Sequence, residues 1–161
     1  MATRVLLLMA LSLSILPLLL LPVATAQFHV KGSVYCDTCR AGFETNVTFY
    51  IEGARVGIRC QDRKTMDITF YTEGVTDSTG TYDIVIKNDQ YDHICRSVLV
   101  SSPLPWCNTP DRGRDTSSIV LTHYENGVVN NLHYANAMGY LKDEPLTQCP
   151  GLLKYYLSDI E

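Results

Sequence analysis

Beyond residue 26 this chain has no hydrophobic run long enough to cross a bilayer, so only its N-terminus is a candidate membrane segment. It shows no KDEL-type ending and no apolar C-terminal tail, and neither retention in the endoplasmic reticulum nor a lipid anchor is expected. It has no low-complexity block, internal repeat or long charge run. Its seven prolines, two of them among the first 26 residues, form no repeat, which argues against a structural cell-wall protein built on Pro-rich tracts. Basic residues are few, at 13 against 17 acidic ones. The footprint that nucleic-acid binding needs is missing. Neither a Gly-x-Ser-x-Gly nucleophile motif nor a phosphate loop is present, and an extracellular hydrolase would lack any local signature. Acidic residues such as Asp83, Asp89, Asp92, Asp111 and Asp115 fall in loops or alternating runs, and nothing singles out two of them as an acid–base pair.

What the chain does have begins at the N-terminus. Arg4 precedes an uncharged, leucine-dominated stretch from Val5 to Val23, and Ala24-Thr25-Ala26 comes next with the small-x-small pattern of a signal-peptidase site. Residues 1–26 are expected to be a cleaved signal peptide and residues 27–161 the mature domain. Pro17 and Pro22 within the apolar run, and the site after it, weigh against an uncleaved anchor, so no membrane insertion is expected after cleavage. Arg4 is the only charge in the leader, which leaves 12 basic against 17 acidic side chains, a net charge of −5. The mature length is that of one domain able to bury a core without help.

Six cysteines, Cys36, Cys39, Cys60, Cys95, Cys107 and Cys149, in an exported chain favour three disulfides over free thiols. Their spacing alone allows 15 connectivities. Cys36-Asp37-Thr38-Cys39 has the spacing of a redox dithiol, but such a motif opens a helix after a strand, and Arg40-Ala41-Gly42-Phe43 carries no helical period. A zinc site wants four ligands. There is one Cys-x-x-Cys pair, and His29, His93, His123 and His133 are scattered, so neither a metal nor a cofactor is expected.

The rest reads as strands and turns. Phe28, Val30, Gly32 and Val34 alternate with His29, Lys31, Ser33 and Tyr35, the period of a half-buried strand. Similar patterns run from Asn46 to Glu52, Val56 to Cys60, Asp67 to Tyr71, Thr81 to Ile86, Cys95 to Val100 and Thr116 to Tyr124. Asp77-Ser78-Thr79-Gly80 marks a turn, and Asn126-Gly127 marks a hairpin whose partner strand would be Val128 to His133. Pro103, Pro105, Pro110 and Gly113 predict an irregular segment around Cys107, and the tail from Ala135 is expected to be irregular except for a helical turn at Leu152 to Leu157. Most of the ten tyrosines lie in strand-like runs, where they suit a pleated surface. The pattern predicts an all-β domain of about six to eight strands, a single small antiparallel barrel or sandwich.

The stretch Gln27 to Thr45, with Val34-Tyr35-Cys36-Asp37-Thr38-Cys39-Arg40 at its centre, resembles the signature of the olive major pollen allergen family, also called the pollen allergen and extensin family. The six-cysteine order, the Thr79-Gly80-x-Tyr82 turn and the tail from Met138-Gly139-Tyr140-Leu141-Lys142 to Cys149 are similar to that family too. Ala137-Met138-Gly139-Tyr140 departs from the family's usual Pro-Leu-Gly-Phe but keeps its apolar character. The resemblance covers the whole mature chain. It implies a secreted, non-enzymatic plant extracellular protein with a barrel-like β domain, a binding or signalling factor linked to pollen or pollen-tube growth. A receptor-kinase ectodomain or a cell-wall component would be its partner. Carried over in cysteine order, it also implies the bridges Cys36–Cys107, Cys39–Cys149 and Cys60–Cys95. Separately, Asn46-Val47-Thr48 is the only usable N-glycosylation sequon, because Asn108-Thr109-Pro110 fails on its third position.

Overall fold

The computed structural model of the chain describes residues 27–87, 89–90, 92–122 and 131–158. Its first sheet is built on β1, Phe28–Asp37, which changes partners halfway along. Phe28 to Ser33 pairs antiparallel with β5 (Thr81–Ile86), while His29 to Lys31 pairs in parallel with β9 (Leu132–Tyr134). The change comes at Val34. Its N–H donates to Gly80 O at 2.9 Å, where β5 begins, and its C=O accepts Ile51 N–H at 2.8 Å. Gly80 has a φ of 71°, and a Cβ there would stand 2.4 Å from Tyr50 Cβ, so the turn requires glycine for both backbone and space. Beyond Val34, β1 runs parallel to β10 (Met138–Leu141) and antiparallel to β2 (Phe49–Tyr50), and β7 (Thr109–Pro110) adds to β10.

The second sheet is wholly antiparallel, in the order β4 (Ile68–Val75), β3 (Arg55–Asp62), β6 (His93–Ser101) and β8 (Thr116–Ile119). The two sheets face each other as a sandwich. Phe28, Val30, Ile84 and Ile86 from one and Val56, Ile58, Cys60 and Ile119 from the other meet in one buried cluster. This is the inward half of the period-two pattern, and it accounts for the register, since a slip by one residue would turn these side chains to water.

Of the two expected architectures, barrel or sandwich, the fold is the sandwich. Several finer expectations need correction. β1 makes two parallel pairings in an otherwise antiparallel arrangement. The run from Asn46 to Glu52 shortens to Phe49–Tyr50, because Thr45 and Thr48 close a turn through Thr48 N–H to Thr45 O and Thr45 N–H to Thr48 Oγ1. The strand from Asp67 continues to Val75, and β8 stops at Ile119. The Asn126-Gly127 hairpin lies outside the described residues. Its expected second strand survives as β9, which pairs with β1 in the other sheet and not with β8. The tail is not irregular: Met138–Leu141 is a strand, and a ten-residue helix, α1 (Cys149–Ser158), replaces the single turn. Pro150 sits in the first turn of α1, where its missing N–H costs nothing. No helix among the described residues is long and apolar enough to cross a membrane.

Candidate functional site

The signature stretch leaves the sheet at Asp37, and that side chain organises the loop beyond it. Asp37 is fully buried. Its Oδ1 accepts Cys39 N–H at 3.1 Å and its Oδ2 accepts Gly42 N–H at 2.8 Å, which folds the Cys-x-x-Cys loop back onto the strand end. The chain passes through positive φ at Arg40 (53°) and Gly42 (79°), so no helix begins after Cys39. The tail is laced to the same loop. Lys142 N–H donates to Asp37 O, Leu146 N–H to Thr38 O, and Arg40 Nη1 to Lys142 O at 2.7 Å.

The two sulfurs of this loop diverge. Cys36 is bonded to Cys107 with a Cα separation of 6.1 Å, and Cys39 to Cys149 with 5.3 Å. Cys60 and Cys95, opposite each other on β3 and β6, form the third bridge. No cysteine is free, so Cys36 and Cys39 do not form a dithiol. Among the described residues no group of three or more histidine, cysteine or carboxylate side chains could hold a metal. His29 pairs with Asp83 at 2.9 Å, His133 packs edge-on to Phe28, His93 lies on β6, and His123 falls outside the described residues.

Beneath the loop lies a cluster that the sequence did not single out. Asp111 is buried, and no donor reaches its Oδ2. Burial and then the neighbouring Asp37 charge raise its carboxyl above the usual range, while Arg114 opposes them. Arg114 is held in place by donating Nε–H to Gly42 O at 3.0 Å. Burial pushes the Tyr35 phenol beside them up to about 12. A raised acid beside a second carboxylate is a pattern that acid–base catalysis uses. Here both acids are under a tenth exposed, and both Asp37 oxygens accept backbone N–H groups. Within the cluster it is Asp37 that holds the loop.

The face above it is different. Trp106, the sole tryptophan of the chain, is 40% exposed and lies 5.6 Å from the 37% exposed ring of Phe49, centroid to centroid, with the planes at 47°. Lys142 Nζ stands 5.9 Å from the Trp106 ring centroid. Both rings are anchored by the bridge below them, because Phe49 is the register partner of Cys36 and Trp106 precedes Cys107. Next to Phe49, the Tyr50 hydroxyl donates to Glu44 Oε1 at 2.6 Å, and that bond raises its pKa. An aromatic pair with a cation at its rim is a recognition surface in composition. Trp106 was not singled out from the sequence, and its lone occurrence between Pro105 and Cys107 was the only signal. Asn46 lies exposed in the turn before β2, with its backbone N–H donating to Tyr156 Oη at 3.2 Å. Tyr156 of α1 also packs edge-on to Phe43.

A family model described as "Pollen protein Ole e 1 like" matches residues 26–157. The chain is 48% identical to Protein DOWNSTREAM OF FLC of Arabidopsis thaliana, over 90% of this chain and 87% of that one. It is 46% identical to Pollen-specific protein C13 of Zea mays, over 83% and 78%. The crystal structure of the major plantain pollen allergen Pla l 1 shares the fold, with a TM-score of 0.67 at 24% identity, covering 77% of this chain and all of that one.

Proposed function

This chain belongs to the Ole e 1-like family of pollen proteins, and on that footing we propose that it is a secreted, non-enzymatic plant protein that acts by binding in the extracellular space. Residues 1–26 direct export and are removed after Ala26. The mature domain, residues 27–161, then serves pollen or pollen-tube growth, a role to which the name of the maize relative lends support. One observation carries the binding reading. Trp106 and Phe49 stay exposed on a surface that the Cys36–Cys107 bridge makes rigid, whereas the carboxylates that could do chemistry are buried. Rings held in place by the fold lose little entropy on contact. The partner is a receptor-kinase ectodomain or a cell-wall component.

The test is an affinity capture from plant extracellular extract with the oxidised, secreted protein, the captured species being identified by mass spectrometry or glycan analysis. Wild type should retain an ectodomain or a wall polymer, and Trp106→Ala should retain at least tenfold less. Equal retention by the two proteins, or none by wild type, overturns the reading.

A further inference from the structure

β4 is the open side of the second sheet: β3 pairs along one edge, and among the described residues no strand pairs along the other. The direction of its free backbone groups can be read from one bond. Thr76 N–H donates to Ala54 O at 2.9 Å, so Ala54 and Thr76 face each other as a hydrogen-bonding pair. Alternation along an antiparallel ladder then turns the N–H and C=O of Gly74, Thr72 and Phe70 toward β3, and those of Val75, Glu73 and Tyr71 outward, as far as the bulge opposite Cys60 and Gln61, which takes Thr69 out of the alternation. The other side of β3 agrees. Cys60 and Cys95 stand only 4.0 Å apart at Cα, the close spacing of a non-hydrogen-bonded pair, so the backbone groups of Cys60 point to β4. Side chains along this edge are open too, with Tyr71 47% exposed and Val75 59% exposed. A long edge with exposed apolar side chains is a template for another strand.

We propose that the occupant is a second copy of this chain, its β4 pairing antiparallel with this one about a two-fold axis at Thr72. The strand's own side chains select that register. Outward groups must meet outward groups, so odd-numbered residues face odd-numbered ones. An axis at Glu73 would set two carboxylates against each other, which is unfavourable. An axis at Tyr71 would set Glu73 against the bulge at Thr69, where the outward ladder is broken. An axis at Thr72 puts Tyr71 opposite Glu73 of the second copy on one face, beside the bond that Tyr71 already donates to Glu73 of its own strand. On the other face it puts Phe70 opposite Gly74 and Thr72 opposite Thr72. Arg59 is the β3 neighbour of Tyr71, so each row then carries one cation and one carboxylate on either side of the phenol. An aromatic residue opposite a glycine is a pairing this fold already uses twice in register, at Tyr82 with Gly32 and at Tyr35 with Gly139. The pairing adds about four backbone hydrogen bonds and joins the two four-stranded sheets into one. The area is small, which fits a reversible dimer with a Kd on the order of 10 μM.

Sedimentation equilibrium of the secreted, disulfide-bonded chain should show a monomer–dimer equilibrium across about 1 to 200 μM, the range that brackets such a Kd. Glu73→Pro removes an outward N–H, together with the carboxylate that Arg55 and Tyr71 hold, and should abolish the dimer. Thr72→Cys should cross-link under a mild oxidant, because residues on the axis are about 4.5 Å apart at Cα, within disulfide reach. Val75→Cys should not, because its two copies lie about 20 Å apart. A chain that stays monomeric throughout, a dimer that survives Glu73→Pro, or Val75→Cys cross-linking as fast as Thr72→Cys would each overturn the proposal. The cysteine pair decides the register even where the proline variant does not fold.

Discussion

The ring of Tyr35 lies against Gly139, its register partner across the parallel β1–β10 pair. A Cβ on Gly139 would stand 2.7 Å from Tyr35 Cζ and 2.9 Å from its Oη. Tyr35 is 1% exposed, so its ring has nowhere to go. Gly139→Ala should therefore cost about 1–3 kcal/mol by overpacking. Chemical denaturation would show it as a lower midpoint at unchanged slope. Unchanged stability would mean that the ring has room to move.

Asp111 makes stability depend on pH in a direction opposite to that of most carboxylates. Its folded pKa is raised by burial and by Asp37, so the folded state holds the proton more tightly than the unfolded chain. Its contribution is full below the unfolded pKa and is lost as pH rises through the raised folded one. Asp111→Asn removes a buried charge without changing shape, and Arg114 keeps its bond to Gly42 O. The variant should melt a few degrees higher at pH 7, and the gain should vanish at about pH 4, the ordinary aspartate range. Thermal melts across pH check this, and a variant less stable at pH 7 would refute it.

The Cys39–Cys149 bridge closes a sequence separation of 110 residues and anchors α1, of which only Cys149 is buried. Replacing both cysteines by serine should cost about 2–5 kcal/mol, and the tail should become the first site of limited proteolysis. Non-reducing peptide mapping of the native chain should give Cys36–Cys107, Cys39–Cys149 and Cys60–Cys95. A peptide with Cys36 bonded to Cys39 would defeat this assignment.

Asn46 is exposed in a turn, within reach of a transferase during export. The secreted chain should begin at Gln27 and carry a glycan that Asn46→Gln removes. Intact mass with and without glycosidase treatment checks both. A glycan that survives the substitution, or a product that retains Met1, would contradict them.

The sequence by itself determined the elements whose signal is local. The Phe28 to Tyr35 alternation marked β1 because only one face of its first half is buried, although Val34 to Asp37 are buried on both, and Asp77 to Gly80 marked a turn because Asp77 Oδ1 accepts the N–H groups of Thr79 and Thr81 there. The sheet-rich class and the family likeness were legible for the same reason, being written in short patterns. Tertiary structure alone decided the rest. Met138–Leu141 is a strand only because β1 offers it a parallel partner some hundred residues away in sequence, and parallel pairing leaves no turn signal behind. Trp106 and Phe49 became neighbours, and Asp37 and Asp111 a buried pair, only when the long loop and the tail closed over the end of β1. Contacts of that kind depend on which chain segments meet in space, and residue order within any one segment does not encode them.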